Sequence, residues 1–141
     1  IESRKMLELF AVEKAFSKVG KDDLSTLTDL VDRMDEVLAD TSHDIDMYRY
    51  IELDRRFHVE LCALAENEYI EKFYREVNLH LNMQYRYGIG PPFDVRTTLS
   101  EHQEILGKLL ENSEDVISVL ETHLDRSREY IVAGDRFQSL E

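Results

Sequence analysis

Asp54 and His58 stand four residues apart in the run Glu52-Leu53-Asp54-Arg55-Arg56-Phe57-His58. In a helix this spacing projects a carboxylate and an imidazole from one face, one turn apart, where a single cation can bridge them. The face continues through Leu61, Cys62 and Ala65, so both polar groups point where apolar residues follow, and a bound cation gives a reason for desolvating them. His102 is followed at helical spacing by Ile105, Leu106 and Leu109, and His123 lies among Val116, Leu120, Leu124 and Ser127. Taken singly, an Asp and a His at this spacing read as a surface ion pair, and a lone core His as a hydrogen-bonded one. Asp54, His58, His102 and His123 together, on the apolar faces of three helices, favour one internal metal site. His43, in a polar break, and His80, flanked by Asn78 and Asn82, fit the surface reading better. Three nitrogens and one oxygen suit a divalent transition ion such as Zn, Ni, Mn or Fe, and argue against copper(I), Ca and Mg. A five- or six-coordinate ion keeps positions open for a small carboxylate.

The elements that must position these residues are helical. The only two prolines are adjacent, at Pro91-Pro92, and apolar residues elsewhere recur at intervals of three and four. The first helix is expected over about residues 1 to 19, with Leu7, Phe10, Ala11 and Ala15 inward and Gly20 ending it. A second, capped by Asp22 or Asp23, carries Leu24, Leu27, Val31, Met34 and Leu38. A third runs from about Asp44 to Ala65, burying Tyr48, Leu53, Phe57, Leu61 and Leu64. A fourth carries Ile70, Phe73, Val77 and Leu81 up to a loop at Gly88 to Pro92. A fifth starts near Thr97 to Ser100. A sixth is capped by Asn112 or Ser113 and ended by Gly134. The fold class expected is all-α, an antiparallel bundle of about six helices, with residues 1–141 forming a single domain.

Composition narrows the partners. Seventeen basic residues against thirty acidic ones give a net charge of −13, which repels a phosphate backbone and makes this segment a poor DNA binder by itself. The single cysteine, Cys62, excludes a disulfide framework and suits a reducing compartment, so a cytoplasmic location is expected. No membrane partner is expected, because no apolar stretch has spanning length. The chain opens on Ile1 rather than Met, which reads as part of a longer protein.

The ordered set Asp54-x-x-Phe57-His58, Ala65-x-Asn67, Glu101-His102-x-x-Ile105-Leu106 and His123-Leu124 resembles the FadR-type C-terminal domain, FCD, of GntR-family transcription regulators. Arg4 and Glu8 are similar to that family's opening Arg-x-x-x-Glu signature. The resemblance spans nearly the whole chain. It implies an effector-binding and dimerising helical bundle, a small organic acid as effector, and a metal held by one Asp and three His, matched by Asp54, His58, His102 and His123. It also implies a homodimer, and a winged helix-turn-helix domain, absent from this chain, through which operator DNA is bound. Arg4, Tyr85 and Arg86 are candidate effector contacts, since arginine pairs with carboxylates. The rival is a metal-dependent hydrolase in which Glu101 or Glu104 acts as base on a metal-bound water. No acid, base or oxyanion constellation besides the metal set supports it, so a non-enzymatic sensor is expected.

Overall fold

The computed structural model describes the backbone of residues 2–87 and 94–139 and, within these, the side chains of 2–78 and 94–127. Among the described residues there are six α-helices and no strand: α1 (Glu2–Ala15), α2 (Ser25–Ala39), α3 (Met47–Ala63), α4 (Glu68–Tyr87), α5 (Val95–Leu110) and α6 (Val116–Ser139). The loop expected at Gly88 to Pro92 and the side chain of Leu81 lie outside the described residues.

Helix starts follow from short polar side chains that satisfy otherwise orphaned N–H groups. Asp46 accepts from Arg49 N at 3.0 Å to begin α3, and Asn67 Oδ1 accepts from Tyr69 N and Ile70 N to begin α4. Asp94 accepts from Thr97 N at 3.1 Å, so α5 starts at Val95, earlier than periodicity places it. Neither Asp22 nor Asp23 caps α2. Asp23 turns back to accept from Gly20 N at 2.8 Å, and the helix begins after Leu24 without a side-chain cap. The glycine expectations also fail: α1 stops at Ala15, Gly20 has no positive φ, and α6 runs past Gly134 to Ser139. The left-handed positions are instead Glu66 (φ 51°), in the turn between α3 and α4, and Asn112 (φ 53°), between α5 and α6.

α3 packs against α1, α2 and α4, while α5 pairs with α2 and α6, and α6 returns against α1. One core of Leu, Val, Met and Phe side chains joins α2, α3, α5 and α6. A smaller one, of Ala11, Cys62, Ala65, Ile70 and Tyr74, joins α1, α3 and α4. All five residues expected along α2 are buried, and Leu30 joins them. Aromatic positions depart from expectation in one consistent way. Phe10 is 55% exposed, Tyr48 66% and Phe73 50%, while their neighbours Ala11, Tyr50 and Tyr74 are fully buried. Tyr50 wins because its hydroxyl reaches a buried acceptor, donating to the Val95 carbonyl at 3.2 Å.

Asn112 performs a different task from the cap expected of it. Its Nδ2 donates to the Phe16 and Val19 carbonyls at 2.9 and 2.8 Å, fastening the chain after α1 to the α5–α6 turn. Asn112→Ala removes both bonds and places an ordinary side chain at positive φ. The expected loss is about 1–3 kcal/mol of stability, read as a lower midpoint in urea unfolding.

Candidate metal centre

The inward face of α1 is polar. Arg4, 5% exposed, and Glu8, fully buried, lie on the stripe that continues through Ala11, Val12 and Ala15. Arg4 Nε donates to Glu8 Oε2 at 2.7 Å, and the Tyr74 hydroxyl from α4 donates to the same oxygen at 3.1 Å. The other carboxylate oxygen of Glu8 accepts from Nδ1 of His58 on α3. On the opposite side, Glu101 of α5 accepts from His123 Nδ1 at 2.7 Å and from Arg126 Nη2 at 2.6 Å. Each carboxylate fixes its imidazole with Nδ1 as the donor, which turns Nε2 inward, its lone pair free whenever the ring is neutral.

The two inward Nε2 atoms, of His58 and His123, are 3.2 Å apart, with the rings stacked 3° from parallel. His102 Nε2 and Asp54 Oδ1 close the same space 2.9 Å from each other, and Asp54 Oδ1 is 3.5 Å from His58 Nε2. Asp54, His58, His102 and His123 each bring one ligand atom within 4.8 Å of all the others, and all four residues are buried. The backbones of α5 and α6 do not pack closely on α3 among the described residues, and these side chains bridge the interval.

The chemistry of this donor set fits a metal. An ion bound at about 2.1 Å holds neighbouring ligand atoms about 3.0–3.4 Å apart, close to the three separations given above, of 2.9, 3.2 and 3.5 Å. Asp54 Oδ1 and His102 Nε2 are near each other yet not aligned as donor and acceptor, and both are buried without a hydrogen-bond partner. Atoms that converge on a common point rather than on each other are arranged for a shared ion. His102 differs from the other two rings, because its buried Nδ1 lacks a partner as well.

Electrostatics sorts the protonation states. Burial opposes charge on Asp54, but His102 and His58 outweigh it and hold its pKa well below the usual carboxylate range. Glu8 is likewise lowered, with His58 and Arg4 overcoming burial. Burial would neutralise His58, yet Glu8 and Asp54 dominate and raise its pKa. For His102 burial prevails, lowering its pKa to about 4. His123 is lowered for the same reason, despite Glu101. Without a metal, His58 is therefore the ring that keeps a proton.

All four ligands read from the sequence are brought together. Arg4 is placed beside them through Glu8, and the side chains of Tyr85 and Arg86, on α4, lie outside the described residues. Neither carboxylate offered as a hydrolytic base suits that role, since Glu101 sits on the outer edge of His123 paired with Arg126, and Glu104 is exposed. Sequence reasoning missed Glu8 and Glu101 as the groups that orient the imidazoles. The signal available for Glu8 was its place on the inward stripe of α1, four residues from Arg4. Among the described residues no helix is long and apolar enough to cross a membrane.

The family model described as FCD domain matches residues 1–126. No curated protein and no solved structure matches at a significant level.

Loading the ion must displace the proton on His58, whereas His102 and His123 are already neutral. Binding is therefore expected to release about one proton below the His58 pKa. Affinity rises with pH up to that pKa and flattens above it. Calorimetry of zinc binding in buffers of different ionisation enthalpy reads this directly, and release of no proton at mildly acid pH would contradict the assignment. Glu8→Gln and Glu101→Gln are each expected to weaken metal binding about 10- to 100-fold without unfolding the bundle.

Proposed function

From the premise that this chain belongs to the FCD domain family, we propose that it is the metal-containing, effector-sensing domain of a GntR/FadR-type transcription regulator. Asp54, His58, His102 and His123 are the ligands of one divalent transition ion, Zn, Ni, Mn or Fe. The observation that carries the reading is the pair of inward Nε2 atoms facing each other at 3.2 Å. A proton on His58 can bridge these two nitrogens in the absence of metal, and a divalent ion that takes its place gains Asp54 and His102 as further ligands within 4.8 Å.

The effector is a small carboxylate that takes an open coordination position. Charge supports this choice. In the metal-free interior Arg4 and protonated His58 balance Glu8 and Asp54. A divalent ion that replaces the His58 proton leaves the group with one positive charge in excess, and a carboxylate restores neutrality where an unbalanced charge is costly. Arg4, Tyr85 and Arg86 are further effector contacts in this reading. The domain is not an enzyme in this reading: Glu8 and Glu101 each hold an imidazole from its outer side instead of facing a metal-bound water.

The regulator is a homodimer that acts in the cytoplasm and meets operator DNA through a winged helix-turn-helix domain preceding α1. Met6 and Phe10 on α1 and Tyr69 and Phe73 on α4 are exposed, and the two helices pack on each other. α1 carries three acidic and three basic residues, so this face is near neutrality in a chain of net charge −13. A strongly acidic chain meets its own copy most readily across such a face, and a two-fold axis would use it twice. Effector binding shifts the balance between arrangements of the dimer, and operator affinity changes by linkage.

Elemental analysis is expected to find about one transition ion per chain, lost in His102→Ala and His123→Ala. Wild type that contains no metal when purified and takes up none of Zn, Ni or Mn would sink the metal-sensor reading. Sedimentation should give a dimer that Phe10→Glu together with Phe73→Glu converts to monomer while metal content persists. A monomeric wild type removes the dimer.

A further inference from the structure

The three imidazoles of the metal centre are not held in the same way. His58 is fastened at Nδ1 by Glu8 and His123 by Glu101, whereas neither ring nitrogen of His102 has a hydrogen-bond partner. Asp54 Oδ1 stands 2.9 Å from His102 Nε2 without the alignment of a hydrogen bond. A ligating histidine ordinarily gives its second nitrogen to a carboxylate, a carbonyl or water, and that bond fixes which edge of the ring faces the ion. Without one, a half-turn about the Cβ–Cγ bond puts the carbon Cε1 where Nε2 now faces the other ligands. His102 is fully buried and needs another means of fixing its ring.

Aromatic packing supplies it. The ring of Phe57 lies against that of His102, with centroids 4.6 Å apart and planes inclined by 37°. His58 and His123 meet His102 more steeply, at 70° and 69°, with centroids 5.4 and 4.8 Å away. Of these three neighbouring rings, only that of Phe57 brings no ligand atom. Phe57 comes from α3, where it is fully buried in the main core, and its ring also meets that of His58, nearly perpendicular at 5.4 Å. His102 comes from α5, whose backbone does not pack closely on α3 among the described residues. Phe57 therefore carries the position of the α3 core across that interval to a ring that no hydrogen bond secures.

We propose that Phe57 is a positioning residue of the metal centre: its ring holds the His102 imidazole with Nε2 aimed at the ion, in place of the hydrogen bond that the other two imidazoles have. This inference rests on the metal reading above and adds the residue that completes the ligand set. The substitution of packing for a hydrogen bond has one chemical consequence. A carboxylate both fixes a ring and raises its basicity, whereas a phenyl ring only fixes it. His102 is therefore the ligand whose aim depends on shape, and its hold on the ion loosens when the ring beside it gives way to a flexible aliphatic chain.

The test combines zinc titration with the visible spectrum of the cobalt(II)-loaded chain, which reports the number and geometry of the ligands. Wild type is compared with Phe57→Leu, Phe57→Met and Phe57→Tyr, and with Leu30→Ala, a truncation in the same core from α2, which carries no ligand. Phe57→Leu is expected to weaken zinc about 10- to 100-fold and to shift the cobalt spectrum, as His102 spends part of its time turned away. Phe57→Met, whose flexible chain also fills the space, is expected to do the same, and provides the measurement if the leucine variant does not fold. Phe57→Tyr keeps the ring but buries a further hydroxyl, so it should melt lower in the metal-free state with the wild-type spectrum and zinc affinity retained. A phenylalanine that serves only the core gives a different ordering. Zinc affinity then follows the metal-free melting temperature through all variants, Leu30→Ala included, while the spectrum stays that of wild type, and this result overturns the proposal. Wild-type affinity and spectrum in Phe57→Leu and Phe57→Met overturn it too. Wild type that takes up neither cobalt nor zinc overturns the metal reading itself, and this proposal with it, and is told apart by the absence of any wild-type signal.

Discussion

Two imidazole nitrogens facing each other across 3.2 Å govern the arrangement of the rest. That contact needs a proton or a cation shared between the two nitrogens, and its geometry is set because each ring is clamped from behind. Glu8 grips His58 from α1, and Glu101 grips His123 from α5, so both rings keep Nε2 turned inward. The clamps are themselves clamped: Arg4 and Tyr74 hold Glu8, and Arg126 holds Glu101. Five of the six helices thereby contribute to the position of two nitrogen atoms. The absent contributor, α2, buries Leu27, Leu30, Val31, Met34 and Leu38, and its packing on α3 and α5 sets the relative positions the site needs.

This layering explains why so many ionisable groups are tolerated in the interior of a small domain. Glu8, Asp54, His58 and Arg4 are all buried, and any one of them alone would shift to its neutral form or draw in water. Together they form an alternating series, Arg4 to Glu8 to His58 to Asp54, in which each charge has an opposite neighbour. Removing one member strands the next, so the series is far more sensitive to single substitutions than its net neutrality suggests. A metal ion bound by Asp54, His58, His102 and His123 would enter this series at the place of one proton and leave the groups outward of His58 as they are.

How much of this was legible in the sequence depended on which side of the imidazoles was being read. Asp54 and His58 declare themselves through spacing of four on a face that continues apolar, and His102 and His123 sit among residues that periodicity makes inward. Glu8 and Glu101 do not declare themselves. An inward carboxylate looks like a surface residue when inwardness is inferred from hydrophobicity, and on α1 the same logic turned Phe10 inward with Ala11 where the structure buries Val12 beside Ala11. Tyr48 against Tyr50, and Phe73 against Tyr74, fail for a related reason: a helical stripe is broad enough to admit either neighbour, and the choice was made by hydroxyl groups finding Val95 and Glu8. Gly20 and Gly134 misled because glycine ends a helix only where a left-handed residue is needed, and here Glu66 and Asn112 take that conformation.

The division between paired and unpaired groups also separates architecture from binding. If the buried polar residues served only to hold the bundle together, selection for stability would leave each of them bonded, as Glu8, Tyr74 and Ser127 are. Among the described residues, exceptions include Asp54 Oδ1 and both ring nitrogens of His102, in the candidate metal centre. Unpaired donors and acceptors scattered through a core would signify only imperfect packing. Those of Asp54 and His102 lie instead within 4.8 Å of ligand atoms from His58 and His123, a donor set suited to one shared cation.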